Sequence, residues 1–326
     1  MMDLYFNENY AKLYEKIDGR SATFTHECAF GKIKNTFILR RIETEIDGQT
    51  YYDIVTPYGY GGPIIMECSD VQKLMDSYRE AFSAYCRENR IICEFIRFHL
   101  YDNVDVREHY YGETVKMLDD VIVDTTGSYD EIYMRYEHKV RKNVKKARAN
   151  GLEMRIEKST AHLDDFLSIY YETMQRNHAK QYYYFEREYF ENIEKLLPHN
   201  FIYFDVLKDG KAIATELVLY SEKYAYSFLG GTLEDYYPMR PNDFLKDAII
   251  QWCNATGISV FVLGGGYHKD DGIYKYKRSF TPAPDVPFYV GKYIFDKEKY
   301  DYFVHARAEK DVAFDLAADY FPLYRA

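Results

Sequence analysis

Hydrophobic residues along the chain alternate between a helical period and continuous apolar runs, which predicts a mixed α/β protein. In Val71–Asn89 the apolar side chains recur every three or four residues, as on one face of a helix. The runs Ile91–Phe98 and Phe201–Leu207 are short and rich in β-branched and aromatic residues, as in buried strands. We therefore expect an α/β fold with mixed α+β sheets that are covered by helices.

Two Asp-Gly pairs indicate that the pattern repeats. Asp47-Gly48 and Asp209-Gly210 each separate two apolar runs, and they lie 162 residues apart. An Asp-Gly pair in this position is a strong hairpin signal. The order hairpin, loop, helix, strand occurs around both turns, so the sequence predicts two tandem domains, 1–130 and 131–326.

Charge is distributed unevenly along the chain. The 42 basic and 52 acidic residues give a net charge of −10, which argues against a protein that coats nucleic acid. Between Arg135 and Arg148, however, seven basic residues stand against the single acid Glu137, a net of +6, which leaves −16 for the remainder. We expect this segment to bind a discrete phosphorylated substrate; a solvated helix face is the alternative.

The same basic segment predicts one helix over about 133–150 at the junction of the two domains. Its apolar residues step by three or four along one stripe, and Arg141 and Lys145 flank that stripe. Asn150-Gly151 supplies a C-cap, and cations suit the negative end of the helix dipole. Arg141 and Lys145 are therefore candidate phosphate ligands.

The cysteines and the N-terminal sequence indicate the cellular compartment. The five cysteines include no CxxC pair, so the sequence predicts reduced thiols and no metal site. The N-terminus lacks the apolar core of a signal peptide, and no run approaches about 18 apolar residues. We expect a cytoplasmic protein without a DNA partner, and peripheral contact with a membrane stays open.

Two segments of the first half offer candidate ligand contacts. The loop TPYGYGGP combines glycines with Tyr58 and Tyr60, which can stack on a sugar or base, although a plain wide turn is the alternative. Arg97 and His99 stand at the end of a predicted strand, where α/β proteins often place binding groups. A lone histidine in this position is more often structural than catalytic.

A glycine loop in the second half precedes a short helix. The stretch LGGGYHKDDG includes Gly265 and His268, and a loop of this kind at a helix start can bind an anion. It matches neither GxGxxG nor GxxxxGK[ST]. Its pair Asp270-Asp271 offers a general base or, as the favoured alternative, a helix cap. Upstream, Asn242 and Asp243 can cap another helix and contact substrate.

These signatures together resemble a known family. RKNVKKARANG followed far downstream by GGGYHKDDGIYKYKRSF is similar to the Fem-type branch of the GNAT acyltransferase superfamily, in which two GNAT-like domains are fused. The resemblance covers nearly the whole chain and implies transfer of an acyl or aminoacyl group. Members of this branch add amino acids from aminoacyl-tRNA to peptidoglycan precursors.

The resemblance also implies roles for particular residues. Tyr276-Lys277 with Phe280 matches the family's Phe-Lys-x-x-Phe-Gly motif, which assigns Lys277 and Tyr276 to the acyl-transfer site, and Arg141 matches a phosphate-contacting arginine. Tyr276 and Thr281 depart from that motif. The GNAT pyrophosphate loop is also missing, because the equivalent stretch begins Met239-Arg240-Pro241.

The expected activity is transfer of an activated acyl group onto an amine of a cell-envelope, peptidoglycan or polysaccharide precursor. Lys277 would stabilise the developing negative charge, Tyr58 and Tyr60 would flank the acceptor, and Asp270, Asp271, Asp243 or a substrate phosphate would be the base. No bound cofactor is expected. The co-substrate would be aminoacyl-tRNA or acyl-CoA, and the acceptor a phosphorylated small molecule or a lipid-linked precursor. The alternatives are an acyl-CoA-dependent N-acyltransferase acting on an amino sugar and a non-catalytic RNA- or glycan-binding module.

Overall fold

The computed structural model describes residues 2–326, which form strands and helices in mixed order. Its strands are, in chain order, β1 (Arg20–Cys28), β2 (Gly31–Arg41), β3 (Tyr52–Val55), β4 (Ile64–Cys68), β5 (Ile91–Arg97), β6 (Glu113–Lys116), β7 (Val121–Asp124), β8 (Leu152–Glu157), β9 (Phe201–Lys208), β10 (Lys211–Tyr220), β11 (Tyr224–Thr232), β12 (Val260–Gly264) and β13 (Tyr289–Ile294).

The helices are interspersed with these strands along the chain. They are α1 (Glu8–Lys12), α2 (Val71–Glu88), α3 (Val104–Glu108), α4 (Tyr129–Arg135), α5 (His138–Ala149), α6 (Leu163–Arg176), α7 (Arg187–Leu196), α8 (Pro241–Thr256), α9 (Gly272–Arg278) and α10 (Lys297–Lys310). No helix among residues 2–326 is both long and apolar enough to cross a membrane.

The chain folds into two compact units. The flanking unit consists of Tyr5–Met117 and Pro287–Ala326, and the central unit consists of Leu118–Val286 with the N-terminal residues up to Leu4. This division differs from the predicted boundaries of 1–130 and 131–326 because β13 and α10 return to the first unit. Apolar periodicity identifies strands but does not show which sheet a strand joins, so the return was not visible in the sequence.

The sheet of the flanking unit has the order β1-β2-β3-β5-β13-β6, with β4 also paired to β2. Only β3 and β5 are parallel neighbours; the other pairs in this sheet are antiparallel. Asp70 caps α2 by accepting a hydrogen bond from the backbone N–H of Lys73. Helix α2 buries Leu74, Tyr78 and Phe82 against the sheet, as its period predicts.

The sheet of the central unit has the order β7-β12-β11-β10-β9-β8. Here too there is one parallel pair, β11 with β12, among antiparallel ones. Helices α5 and α8 pack on this sheet, with Val140, Val144 and Ile249 in the core. Both units therefore combine an antiparallel meander with one parallel pair.

The predicted Asp-Gly turns are confirmed, and the predicted basic helix is corrected. Asp47-Gly48 and Asp209-Gly210 have positive φ at both residues, as tight hairpin turns require. The helix expected over about 133–150 is instead two helices, α4 and α5. Tyr136 adopts an extended backbone with ψ 149, and the Glu137 N–H donates to the carbonyl of Ser279. A long-range hydrogen bond thus interrupts a pattern that is continuous in the sequence.

Candidate active site

A cavity opens in the central unit where its two parallel strands separate. Strand β11 pairs with β12 only from Tyr224 to Tyr226, and then continues to Thr232 beyond the paired region. Alongside this second half of β11 lies a cavity of about 290 Å³. Its wall is formed by Thr173, Arg176, Asn177, Thr215, Glu216, Ser227, Phe228, Leu229, Gly230, Gly231, Thr232, Tyr237, Asn242, Leu245, Lys246 and Tyr276.

A buried ion pair forms one side of this cavity. Lys246 Nζ on α8 lies 2.5 and 2.6 Å from the two carboxylate oxygens of Glu216 on β10, and 2.7 Å from Ser227 Oγ. The side chains are 12% and 6% exposed. Pairing of β10 with β11 shifts by one residue at Leu217, so that Phe228 is the extra residue of a bulge next to Ser227. Bulges commonly redirect side chains at functional sites.

Lys277 on α9 stands next to this pair. Its Nζ donates a 2.7 Å hydrogen bond to the carbonyl of Gly265 in the glycine loop. Burial, and then the positive charge of Lys246, lower the pKa of Lys277 to about 8. An ammonium group with this pKa is charged near neutral pH but gives up its proton readily. It can therefore donate a hydrogen bond to a developing oxyanion, or transfer a proton.

Tyr276 separates this cavity from a second one. Its hydroxyl is buried and has no hydrogen-bond partner among the described residues, and burial raises its pKa well above the usual range. The second cavity has a volume of about 340 Å³ and is lined by Lys139, Asn143, Tyr237, Arg240, Pro241, Asn242, Asp243, Tyr276 and Ser279. A buried phenol without a partner is costly, so this one is suited to a ligand acceptor group.

The N-terminus of α8 lies at the junction of the two cavities. The hydroxyl of Thr232 donates to Oδ1 of Asn242, which holds that side chain at the first turn. Asp243 is buried, and its burial outweighs a hydrogen bond from Asn143 and raises the pKa of the carboxyl. Asn242 and Asp243 therefore both line the site, and Asp243 has the raised pKa of a candidate base.

The glycine loop holds the start of α9. Asp271 caps α9 through the N–H of Tyr274 and also accepts from the N–H groups of Tyr267 and His268, as the capping alternative predicts. These bonds lower the pKa of Asp271. Asp270 is exposed and has a positive φ of 57. His268 is exposed as well. The carbonyl of Gly265 accepts the hydrogen bond from Lys277.

The two predicted phosphate ligands on α5 behave differently. Arg141 donates from Nη1 to the carbonyl of Met134, at 3.0 Å, and to that of Tyr136, and so bridges the break between α4 and α5. Lys145 is exposed. Neither residue lines the two cavities, whereas Lys139 from the same basic segment lines the second one.

The four candidates of the first half lie in the flanking unit, where each is held by neighbours of that unit. Tyr60 packs edge-on against Tyr5, His99 and Phe288. The backbone carbonyl of Tyr58 accepts from Tyr10.

The other two of these candidates hold loop backbone. Arg97 donates to the carbonyl of Thr56. His99 is 1% exposed and accepts from the N–H groups of Tyr101 and Asp102, which is the structural role that the sequence favoured.

Sequence reasoning missed the Glu216–Lys246 pair. A signal was present, because Glu216 is the only charged residue inside the otherwise apolar strand sequence AIATELVLY. Buried charges are retained only when they are paired, so an isolated acid within such a strand predicts a cationic partner. No group of three or more His, Cys, Asp or Glu side chains within residues 2–326 is arranged to hold a metal ion.

Comparisons with known proteins agree with this geometry. Residues 134–278 match the family model described as an acetyltransferase (GNAT) domain. The chain is also similar in structure to FemX, with a TM-score of 0.71 and 11% identity over 92% of this chain and 94% of the other. The family model covers 145 of the 326 residues, and the likeness to FemX shows a shared fold. The predicted tandem GNAT-like fold is thereby confirmed, and the match to an acetyltransferase domain agrees with the predicted acyltransferase class.

Two further solved structures share the fold. One is the C-terminal domain of a protein named as a lysylphosphatidylglycerol synthetase from Agrobacterium fabrum, with a TM-score of 0.57 and 14% identity over 89% of this chain and 87% of that one. The other is L-PGS from Bacillus licheniformis, with a TM-score of 0.54 and 12% identity over 87% and 91%. No curated protein sequence matches this chain.

Proposed function

We propose that this Fem-like protein transfers an aminoacyl group from an activated ester to an amine of a cell-envelope precursor, and that the reaction takes place in the central unit. The observation that carries the proposal is Lys277. Its ammonium group is partly buried, has a pKa of about 8, donates to the carbonyl of Gly265 and interacts electrostatically with Lys246, which lines the 290 Å³ cavity; Lys277 itself is not among the lining residues. Such a group is what a developing oxyanion requires.

The reaction needs positioning and charge stabilisation more than a strong base. The acceptor amine attacks the ester carbonyl, a C–N bond forms, and the carbonyl oxygen becomes negative. Lys277 and the hydroxyl of Tyr276 donate to that oxygen, the C–O bond to the leaving group breaks, and the departing oxygen takes up the proton that the amine loses. Asp243, with its raised pKa, can relay this proton; a substrate phosphate is the alternative base.

The second cavity suits the phosphate end of the donor. Lys139 and Arg240 line it, together with the N-terminus of α8, whose dipole favours negative charge. Pro241 at the first helical position has no N–H, and Arg240 replaces the glycine of a pyrophosphate loop. This arrangement favours the phosphate and ribose of a charged tRNA end over the diphosphate of coenzyme A.

The acceptor class rests on two supports. One structural relative is named as a synthetase of lysylphosphatidylglycerol, a lipid that carries an amino acid, and the fold of FemX is shared over 92% of this chain. We therefore assign a lipid-linked or phosphorylated envelope precursor as the acceptor, modified in the cytoplasm or at the membrane surface. Acyl-CoA-dependent transfer to an amino sugar is the second candidate, because the matched family model is that of an acetyltransferase domain.

The test is Lys277→Met, with Lys275→Met as the matched control on an exposed position of the same helix. Transfer from charged tRNA should fall by about 100- to 1000-fold in the first variant and stay unchanged in the second, because the proposed mechanism assigns Lys277, and not Lys275, to the oxyanion. Product is measured by mass spectrometry with charged tRNA, acetyl-CoA and longer acyl-CoAs as donors. Near-normal turnover of Lys277→Met would remove this lysine from the mechanism, and turnover with acyl-CoA alone would establish the second candidate.

A further inference from the structure

The flanking unit contains a cavity of its own that the proposed reaction does not use. Its volume is about 320 Å³, within the range of small-molecule sites. One face of α10 forms a wall through Phe303, Arg307 and Lys310, and the C-terminal residues Tyr324 and Arg325 form another. Three of these five side chains are cationic, in a protein whose net charge is −10.

The charge of Arg325 is only partly neutralised. Its Nε lies 2.6 Å from Asp53, and its Nη2 donates to the carbonyl of Arg41. Asp53 is fully buried and also binds Nε of Arg40 at 2.5 Å. One carboxylate therefore serves two guanidinium groups, which leaves a net positive charge beside the cavity. Tyr324 donates to the same carboxylate and fixes the wall in place.

Lys310 and Arg307 add positive charge that can pair with an anionic ligand. Lys310 Nζ donates at 3.0 Å to the hydroxyl of Thr44, and it has no carboxylate partner within 4 Å among the described residues. Arg307 pairs with Asp311 at 3.0 Å, but both side chains are more than one third exposed, so this pair contributes little and is readily exchanged. Glu43 is the single acid in the lining, and it is exposed.

The lining also includes apolar and aromatic side chains. Phe303 and Ile42 are buried, and together with the ring of Tyr324 they give the cavity a face on which a ring can lie. The Arg325 guanidinium lies over the ring of Tyr324, 5.9 Å from its centroid. Cationic and aromatic side chains therefore line the same cavity next to each other.

We propose that this cavity binds a phosphate monoester that carries a ring, such as a nucleoside monophosphate. Lys310 and Arg307 bind the phosphate through charge-assisted hydrogen bonds, while Arg325 adds charge from a fixed position. The ring of the ligand lies against Phe303 and Tyr324. The site is separate from the cavities of the central unit and does not depend on the proposed transfer reaction.

The experiment is calorimetric titration of the full chain with adenosine 5′-monophosphate, ribose 5-phosphate and inorganic phosphate at low salt. The nucleotide should bind most tightly and phosphate alone most weakly, and affinity should fall as salt is raised. Lys310→Gln and Arg307→Gln should each weaken nucleotide binding about tenfold, since each removes one charged contact. Lys297→Gln, at the opposite end of α10, is the control and should bind as the wild type does.

The variant Arg240→Gln tests whether the nucleotide binds in the flanking cavity or in the central unit. It alters the second cavity there, which we assign to the phosphate and ribose of the donor. Unchanged nucleotide binding in this variant places the nucleotide in the flanking cavity, and weakened binding would overturn the proposal. Absence of binding by the wild type, unchanged binding by Lys310→Gln and Arg307→Gln, or equal affinity for phosphate and nucleotide would each overturn the proposal. Melting temperatures of the variants verify folding, which Lys310→Gln should preserve because it loses a single hydrogen bond to a hydroxyl.

Discussion

Each unit has one pair of parallel strands, and the two pairs differ in how far the pairing extends. In the central unit the pairing of β11 with β12 stops early and a cavity lies alongside the free half of β11. In the flanking unit the pairing of β3 with β5 is prolonged by a bridge between Gly61 and Phe98. Asn103 then fastens the intervening loop by donating to the carbonyls of Gly61 and Pro63.

The loop that includes Gly61 and Pro63 therefore packs against its own unit and does not offer an open contact surface. Gly62 has φ 89, and a Cβ there would lie 2.6 Å from Ile96, so its glycine serves close packing. Tyr60 is buried among rings. In the same sheet topology, the space beyond the parallel strands can thus be occupied by a loop or remain as a cavity. The reaction that we propose lies in the unit that is open.

Each unit also contains a buried glutamate, and the two glutamates differ in their partners. Glu216 beside the open cavity is paired with Lys246. Glu94 in the flanking unit is 1% exposed, accepts from the hydroxyls of Tyr110 and Tyr111, and keeps Oε2 without a partner among the described residues. One carboxylate is neutralised by a cation, and the other is stabilised by neutral donors. The two should respond to mutation and to pH in different ways.

The largest expected effect on stability is that of Lys246→Met. It leaves Glu216 buried without its cation, and the free energy of unfolding should fall by about 3 kcal/mol. Urea denaturation measures the change. The double variant Lys246→Met with Glu216→Gln should recover most of this loss, because it removes the uncompensated charge. If the double variant is as unstable as the single one, packing rather than charge holds this pair.

Glu94 should give the flanking unit a stability that falls as pH rises. Burial raises the pKa of Glu94 from 4.5 to about 7, so the folded state binds the extra proton between these values. Stability from this group is complete below pH 4.5 and is lost as pH rises through 7, a change of about 3 kcal/mol. Unfolding followed across this range should show the slope in the wild type and lose it in Glu94→Gln. An unchanged slope in the variant would assign it to other groups.

The smallest expected effect on stability is that of Tyr276→Phe, and it should be positive. Removing a buried hydroxyl without a partner should raise the free energy of unfolding by about 1 kcal/mol. The control is Tyr203→Phe, because the hydroxyl of Tyr203 is also buried without a partner but does not line the cavities. Only Tyr276→Phe should lower transfer, by about tenfold. Equal turnover in the two variants would limit Tyr276 to a packing role.

Local chemistry could be predicted from the sequence where a short segment decides the outcome. The two Asp-Gly turns, the cap formed by Asp271, the period of α2 and the apolar stripe of α5 all depend on neighbouring residues. The resemblance assigned Lys277 to the acyl-transfer site, and the structure adds its hydrogen bond to the carbonyl of Gly265 in the glycine loop.

The remaining features depend on contacts between distant residues. The break at Tyr136 depends on a hydrogen bond to Ser279, and the pair of Glu216 with Lys246 joins β10 to α8 across 30 positions. Arg141, predicted to bind phosphate, is used instead to hold the carbonyls that this break exposes. Periodicity and charge counts do not contain such long-range information.

The position of β13 has a consequence for the order in which the chain is made and folded. This strand lies between β5 and β6 and supplies both with their partner, yet it is synthesised about 170 residues after β6. Until then the flanking sheet ends at β5, with an unpaired edge exposed on the ribosome. The central unit, whose strands all precede residue 265, is complete earlier. We therefore expect the central unit, to which we assign the reaction, to fold first. A chain that stops short of β13 should keep a folded central unit together with an aggregation-prone, unfinished sheet.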